Sequence, residues 1–242
     1  MYNEKKGEKA MRSIFRLIKF MFFMVVILGI FVFSIIVSKG YNLYIEKINE
    51  VSIEEKIKSI KNNENYISYN EIPKQFINAI VSIEDRRFFK HKGVDIQSIL
   101  RAMISNIENE DIVEGGSTIT QQLSKNMYFT QEKKFTRKVA ELFLSLELEK
   151  NYSKEDIIEM YLNIIYFGDG YYGIYEASTG YFDKKPKELD LNEITLLAGL
   201  PNAPSAYALS NETELSKQRQ QMVIEAMYES NYLTEEEYHK LK

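Results

Sequence analysis

The sequence predicts a mostly α-helical domain attached to one N-terminal membrane-spanning helix. Apolar residues recur at helical spacings from residue 71 to residue 227, and no alternating strand pattern persists. A second observation is the apolar run at residues 20–37, which no charged residue interrupts. A chain of 242 residues with 45% hydrophobic content can bury one sizeable core. We therefore expect one helical domain and an anchor.

The composition argues against several classes of site and partner. The net charge of −4 lacks the basic excess that is typical of nucleic-acid-binding domains. Cysteine is absent, which excludes a disulfide framework, a thiol nucleophile and a cysteine-built metal site. The two histidines, His91 and His239, lie far apart in sequence and argue against a histidine-built zinc site. We expect no nucleic acid partner and assign no residue to a metal.

The N-terminal segment has the pattern of a membrane anchor. Residues 20–37 are 18 apolar or uncharged residues, and at 1.5 Å per residue they span about 27 Å, close to the hydrocarbon core of a bilayer. Six basic residues precede them: Lys5, Lys6, Lys9, Arg12, Arg16 and Lys19. By the positive-inside rule we expect a cytoplasmic tail at residues 1–19, a transmembrane helix at 20–38, and everything that follows outside the cytoplasm. The alternative is a cleaved signal peptide, which the length of the run argues against.

Residues 39–65 are rich in Lys, Glu and Asn and predict a helical stalk or linker, and residues 66–242 form the predicted domain. Pro73 suits a first helical turn, and Asp95 can cap the next helix. That next helix carries an apolar stripe: Ile96, Ile99, Leu100, Met103, Ile104 and Ile107. We expect the stripe to pack in the core, as amphipathic helices of globular domains usually do. The alternative is that the stripe, with Phe88 and Phe89, rests in the membrane interface.

The stretch from residue 81 to residue 95 is the first candidate for chemistry. It places the adjacent carboxylates Glu84 and Asp85 between an apolar segment and two arginines. Desolvation disfavours a charged carboxylate and nearby arginines favour it, so such a group can be tuned for acid or base work. A helix end laced with ion pairs explains the same residues equally well.

A further stretch could hold an anion. Gly115 and Gly116 precede a helix start at which Thr118 and Gln121 have the spacing of a capping box. A helix N-terminus offers unpaired N–H groups to an anion, although an ordinary loop-to-helix junction has the same pattern. The segment 133–141 is basic and ends in Glu141, which is four residues after Arg137 and predicts at least a surface ion pair.

The remaining pattern is helical. Ser153 opens a helix with Asp156 three positions on, residues 167–173 form a turn region rich in Gly and Tyr, and residues 189–200 and 217–227 carry two more helices. Pro201 and Pro204 separate these last two helices.

These segments, in this order, resemble the glycosyltransferase domain of penicillin-binding proteins, glycosyltransferase family 51, and specifically the monofunctional peptidoglycan glycosyltransferases. The resemblance spans residues 66–232 and joins several separate motifs. They are Glu84-Asp85-x-x-Phe88-x-x-His91-x-Gly93, then Gly115-Gly116-Ser117-Thr118-Ile119-Thr120-Gln121-Gln122 with Lys125-Asn126, Arg137-Lys138-x-x-Glu141, Lys154-x-x-Ile157-Ile158-Glu159-x-Tyr161-Leu162-Asn163 and, more weakly, Arg219 to Val223 with Met227.

The resemblance implies a lysozyme-like all-helical fold and an enzyme that polymerises lipid II into β-1,4-linked glycan strands. The donor anomeric centre is inverted and undecaprenyl pyrophosphate is released. Glu84 is implied to be the general base, and Glu141 a second essential carboxylate near the pyrophosphate. The residues implied to bind substrate are Ser117, Thr118, Gln121, Gln122, Lys125, Asn126, Lys133, Arg137 and Lys138. Lys125, Lys133, Arg137 and Lys138 would cradle the pyrophosphate.

The implied enzyme requires no cofactor, and a divalent cation, Mg²⁺ or Mn²⁺, is compatible with its pyrophosphate. Its partners are lipid II, the nascent strand and the membrane, with a separate transpeptidase or division proteins as further candidates.

The sequence contains no Ser-x-x-Lys, so we expect glycan polymerisation without transpeptidase activity. Two alternatives stay open, a lysozyme-like enzyme that cleaves glycan and a catalytically silent cell-wall scaffold. The basic cluster favours the transferase, because a neutral glycan needs no anion clamp.

The sequence departs from the family pattern at three points. Lys133 stands at a usual arginine, which replaces a bidentate fork by a point charge. Gln220 follows Arg219 where paired arginines are common, and Asp183 stands at a usual glycine. Three other residues at motif positions, His91, Glu159 and Asn163, are interpreted as structural.

Overall fold

The computed structural model describes residues 2–108, 115–129, 134–211 and 214–242. These ranges contain α-helices, short 3₁₀ turns and a single isolated bridge between Tyr166 and Tyr172, with no strand. The helices are α1 (Tyr2–Glu50), α2 (Ile53–Lys61), α3 (Lys74–Glu84), α4 (Ile96–Glu108), α5 (Ile119–Tyr128), α6 (Phe135–Asn151), α7 (Lys154–Ile164), α8 (Gly173–Phe182), α9 (Leu191–Gly199), α10 (Pro204–Tyr207), α11 (Glu214–Glu229) and α12 (Glu235–Leu241). The prediction of a mostly α fold is confirmed.

Local sequence explains where many of these helices begin. Thr118 and Ser153 form the predicted caps, each bonded to the backbone N–H three residues on, and Asp190 and Thr234 do the same for α9 and α12. Asp95 accepts from the backbone N–H groups of Gln97 and Ser98 at 3.0 and 3.3 Å, as predicted for the start of α4.

α1 is one continuous helix that contains the apolar run and continues into the predicted stalk. Within the described residues, the segment from Ile14 to Glu50 is the one helix long and apolar enough to cross a membrane. Beyond the apolar run, Tyr41 and Tyr44 pack on Phe143 of α6, with ring centroids 5.1 and 6.1 Å apart. α2 follows and buries Ile53 and Ile57. Most of the stalk residues therefore form helices that lie against the domain.

The core is built where α3, α5, α7, α9 and α11 meet. It is filled by fully buried side chains such as Phe76, Leu123, Tyr161, Leu197 and Val223. Excluding this apolar surface from water is the main force that holds the helices together. Because α3, α5 and α11 belong to this core, the side chains at their shared edge have fixed relative positions.

The stripe on α4 corrects a prediction from the sequence. Ile96, Leu100, Met103, Ile104 and Ile107 are between 55% and 73% exposed, and the prediction that the stripe packs in the core is wrong. Of the α4 residues, only Ala102 is buried, on the side where Gly116 comes close. Phe89, just before α4, is also exposed. Helical periodicity identifies an apolar face but does not say what covers it.

Two of the residues interpreted as structural, Glu159 and Asn163, make contacts within the fold. Glu159 accepts from the backbone N–H of Tyr69 at 2.6 Å and from the Tyr66 hydroxyl, and Asn163 both donates to and accepts from the backbone of Ile67 at 2.9 Å. These bonds fasten the chain before α3 to α7. Asp183 ends α8 with φ of 54°, a left-handed conformation that glycine adopts most easily and Asp tolerates.

Candidate active site

Glu84 is the last residue of α3, and its carboxylate lies between α5 and α11. Gln122 Nε2 donates to Oε2 at 2.8 Å, and Arg219 Nη2 donates to Oε1 at 3.2 Å. The Glu84 side chain is only 8% exposed. Both oxygens are thus held by groups from separate helices, which fixes the orientation of the carboxylate.

A buried tyrosine orients Gln122 in turn. The Tyr161 hydroxyl donates to Gln122 Oε1 at 3.1 Å. Burial raises the pKa of Tyr161 well above its usual range, and the charges of Glu84 and Asp85 add to the effect. The hydroxyl therefore stays protonated and remains a donor, so the amide of Gln122 keeps its N–H side towards Glu84.

Asp85 is adjacent to Glu84 in sequence but binds a different set of partners. Its Oδ2 contacts His91 Nε2 at 2.8 Å and accepts from the backbone N–H of Ile119 at 3.0 Å. The Thr118 hydroxyl donates to the carbonyl of Gly93 at 2.7 Å. Together these bonds join the segment after α3 to the start of α5. Asp85 and His91 thus support the fold, which agrees with the structural interpretation of His91.

The second carboxylate, Glu141, lies on α6 and is 1% exposed. Arg137 Nη1 donates to its Oε1, and Lys138 Nζ donates to its Oε2 at 3.1 Å. Lys138 also donates to the Ser117 hydroxyl at 2.8 Å. The pairing of Arg137 with Glu141 that the spacing suggests is present, and packing buries the carboxylate, so the simpler account of a surface pair does not apply.

The cations of this region affect one another. Burial lowers the pKa of Lys125, with Arg137 adding to the effect and Glu84 opposing it. Burial, Arg137 and then Lys125 lower the pKa of Lys138 to about 8. Lys125 is thus electrostatically coupled to Glu84 and Arg137, and Arg137 and Lys138 bind Glu141, so these three cations connect the surroundings of the two carboxylates. An anion bound by these cations would relieve the repulsion among them.

The structure brings together most of the residues that the sequence singled out. Glu84, Gln122 and Lys125 meet at the edge of α3 and α5, and Ser117, Arg137, Lys138 and Glu141 meet at α6. Thr118 and Gln121 bond to each other in the cap of α5 at 3.1 Å, and both are buried. Asn126 is exposed on α5. Lys133 lies outside the described residues.

Sequence reasoning missed two contacts to the site, those of Arg219 and Tyr161. Both residues stand in the quoted motifs, so the resemblance was a signal that could have selected them. Their partners could not be found by spacing, because Arg219 is 135 residues from Glu84 and Tyr161 is 39 from Gln122.

The residues that the structure describes do not form a recognisable metal site. No group of three His, Asp or Glu side chains there is arranged to hold a metal ion. The divalent cation stays a prediction from the resemblance.

Comparison with known proteins assigns the family. A family model described as Transglycosylase matches residues 52–228. The chain is 43% identical over 175 residues to penicillin-binding protein 1F of Bacillus subtilis and 45% identical over 173 residues to penicillin-binding protein 1A of Aquifex aeolicus, in both cases covering 72% of this chain and 24% of the relative. Penicillin-binding protein 4 of Bacillus subtilis is 38% identical over 189 residues, covering 78% of this chain and 30% of its own.

The chain therefore spans between 24% and 30% of the length of these relatives. Among solved structures, a crystal structure of penicillin-binding protein 1A from Haemophilus influenzae aligns with a TM-score of 0.41 and 23% identity, over 73% of this chain and 17% of that one. Because the family model covers well over half of the chain, and includes both carboxylates and the residues around them, the chain belongs to the transglycosylase family.

Proposed function

We propose that this chain is a peptidoglycan glycosyltransferase that polymerises lipid II into β-1,4-linked glycan strands with inversion and release of undecaprenyl pyrophosphate. One observation carries the proposal. Arg137 and Lys138 bind the buried carboxylate Glu141, and Lys125 is electrostatically coupled to both of them and to the shielded carboxylate Glu84. A base and an anion clamp are the two things that transfer from a pyrophosphate donor requires.

In the proposed reaction Glu84 takes the proton of the acceptor sugar hydroxyl. The hydroxyl oxygen attacks the donor anomeric carbon, and the bond from that carbon to the pyrophosphate oxygen breaks. The pyrophosphate leaves with the electron pair of the broken bond, and Glu84 retains the proton. A carboxylate has about four acceptor positions. Glu84 can therefore receive the hydroxyl while Gln122 and Arg219 stay bound.

The leaving group needs stabilisation because negative charge grows on it as the bond breaks. Lys125, Arg137 and Lys138 supply it in our proposal, and Lys133 joins them by the resemblance. Glu141 holds Arg137 and Lys138 in place before substrate arrives. Since Glu141 is buried, these two cations are oriented in advance of binding.

We propose that the chain meets this lipid-linked substrate at the membrane surface. Gly40 follows the apolar run by three residues, about 4.5 Å along the helix, and it lies against Val139 and Thr136 of α6. The first turns of α6, with Arg137 and Lys138, thus lie at the level of the lipid headgroups if the apolar run spans the bilayer. The exposed stripe of α4 suits the membrane interface, the alternative that the sequence left open. By the positive-inside rule, the basic tail supports a cytoplasmic N-terminus and a domain outside the cytoplasm.

Cross-linking of the strands needs a serine nucleophile from outside these 242 residues, since they contain no Ser-x-x-Lys. We therefore propose a transpeptidase active site as a working partner of this domain.

The test is polymerisation of purified lipid II in detergent by the wild type, Glu84→Gln and a control, Glu225→Gln. Glu225 is an exposed carboxylate on α11, away from the site. We expect glycan strands from the wild type and the control and none from Glu84→Gln. A folded wild type that binds lipid II without making polymer would contradict the enzyme and leave a scaffold. Cleavage of soluble glycan without a lipid-linked substrate would instead indicate a lysozyme-like hydrolase.

A further inference from the structure

A glycine of the anchor helix packs closely against α6, the helix that carries Glu141. Gly40 of α1 is buried, and a Cβ built on it would lie 2.5 Å from both Cβ and Cγ1 of Val139 and 2.9 Å from the carbonyl oxygen of Thr136. Carbon atoms in ordinary contact are about 3.5–4.0 Å apart. Any side chain at position 40 would therefore push α1 and α6 apart by about 1 Å.

α6 presents opposite faces to the anchor and to the site. At 100° per residue, about 200° separates Val139 from Glu141. The face towards α1 carries Val139 and Phe143, and Phe143 meets Tyr41 edge-on and stacks with Tyr44. The other face carries Glu141, with Arg137 bonded to it one turn earlier. α6 is thus a single layer between the anchor helix and the candidate active site.

α6 is also held on its far side, so it cannot recede freely. The hydroxyls of Ser145 on α6 and Ser124 on α5 bond at 2.9 Å, and both residues are fully buried. α5 carries Gln122 and Lys125 and is fixed to α3 by the bond from Gln122 to Glu84. A shift of α6 away from α1 therefore changes the separation of Glu141 from the base, or compresses α5.

We propose that Gly40 is a positioning residue for catalysis, and that its missing side chain lets the membrane helix fix α6, and with it Arg137, Lys138 and Glu141, relative to Glu84. The inference rests on the proposed function for its catalytic readout. It adds that the anchor sets the geometry of the site as well as keeping the enzyme at the membrane.

The experiment compares Gly40→Ala with Gly29→Ala in the full chain, purified in detergent. Gly29 lies in the same helix with nothing within 4 Å of a Cβ, so both variants gain the same helix propensity and only one meets α6. A misplacement of about 1 Å costs up to about 100-fold in rate. We expect kcat to fall about 10- to 100-fold in Gly40→Ala, and KM to change by a smaller factor. In Gly29→Ala we expect kcat to stay at the wild-type value.

A second-site variant tests whether the contact with α6 causes the effect. Val139→Gly removes the two side-chain atoms that a Cβ at position 40 would strike. In the Gly40→Ala background it should restore kcat at least in part, although by itself it removes packing from α6. We expect the double variant to be more active than Gly40→Ala. Independent effects of the two substitutions would instead make it less active. With kcat calculated per folded enzyme, its restoration reports positioning and not the amount of folded protein.

Affinity for inorganic pyrophosphate, measured by calorimetry on the same proteins, gives a readout that does not depend on polymerisation. We expect Gly40→Ala to bind it several-fold more weakly than Gly29→Ala. Equal kcat and equal pyrophosphate affinity in the two variants would overturn the positioning role, as would a double variant with activity at or below that of Gly40→Ala. A wild type that makes no polymer would refute the proposed function alone, since the pyrophosphate comparison would still test Gly40.

Discussion

Arg219 Nη2 lies 3.2 Å from Glu84 Oε1, and the two side chains are 10% and 8% exposed. This ion pair links α11 to the end of α3 and places a residue from the C-terminal part of the chain directly on the candidate base. Removing one partner of a buried pair leaves the other charge without compensation, which costs more than losing a surface pair.

Arg219→Ala should therefore damage both stability and catalysis. We expect it to lower the free energy of unfolding by about 3 kcal/mol and to reduce kcat by at least tenfold, because Glu84 loses one of its two fixed bonds. The measurements are thermal unfolding and lipid II polymerisation. Arg86→Ala is the matched control, since Arg86 pairs with Glu229 at 2.7 Å on the surface and such a pair contributes about 0–1 kcal/mol. A fully active Arg219→Ala would show that the pair is not needed at the base.

Tyr161→Phe should indirectly weaken the hydrogen bond from Gln122 to Glu84. The change removes the donor to Gln122 Oε1, a bond whose loss costs about 1 kcal/mol, and it frees the amide of Gln122 to turn. We expect kcat to fall by a few-fold while KM changes less. Tyr172→Phe, at an exposed tyrosine, is the control. Wild-type kcat in Tyr161→Phe would mean that Gln122 keeps its orientation unaided.

Lys138 predicts a pH dependence for anion binding. Its pKa of about 8 means that the free protein loses this charge as the pH rises through 8, whereas a bound anion favours the charged form. The affinity for pyrophosphate should therefore fall between pH 7 and pH 9. Lys138→Arg stays charged across this range, so the ratio of wild-type to Lys138→Arg affinity isolates the lysine from the titration of pyrophosphate itself. Calorimetry at three pH values would measure this ratio. A ratio independent of pH would contradict a lowered pKa for Lys138.

Local features of the fold could be predicted from sequence, and features that depend on the packing of distant segments could not. Thr118 and Ser153 cap helices through bonds to residues three positions on, and Arg137 reaches Glu141 within one turn, so sequence spacing was sufficient. The burial of Glu141 and the contact of Arg219 with Glu84 arise only when separate helices pack. The motif resemblance selected Glu84 and Glu141 as candidate site carboxylates, but their binding partners are determined by how the separate helices pack.

The failed prediction for α4 has the same origin, since an apolar stripe shows only that some apolar environment must cover it. This leads to a prediction about depth in the membrane. The chain contains no tryptophan, so Ile104→Trp on the exposed stripe introduces a single tryptophan, whose emission is measured. In vesicles containing the full chain, we expect its emission to shift to shorter wavelength and to be quenched by lipids brominated on their acyl chains. Tyr172→Trp, at an exposed position outside α4, supplies the reference for a residue in water. Emission from Ile104→Trp that matches this reference and resists quenching would place the stripe outside the bilayer, and a protein partner would then have to cover it.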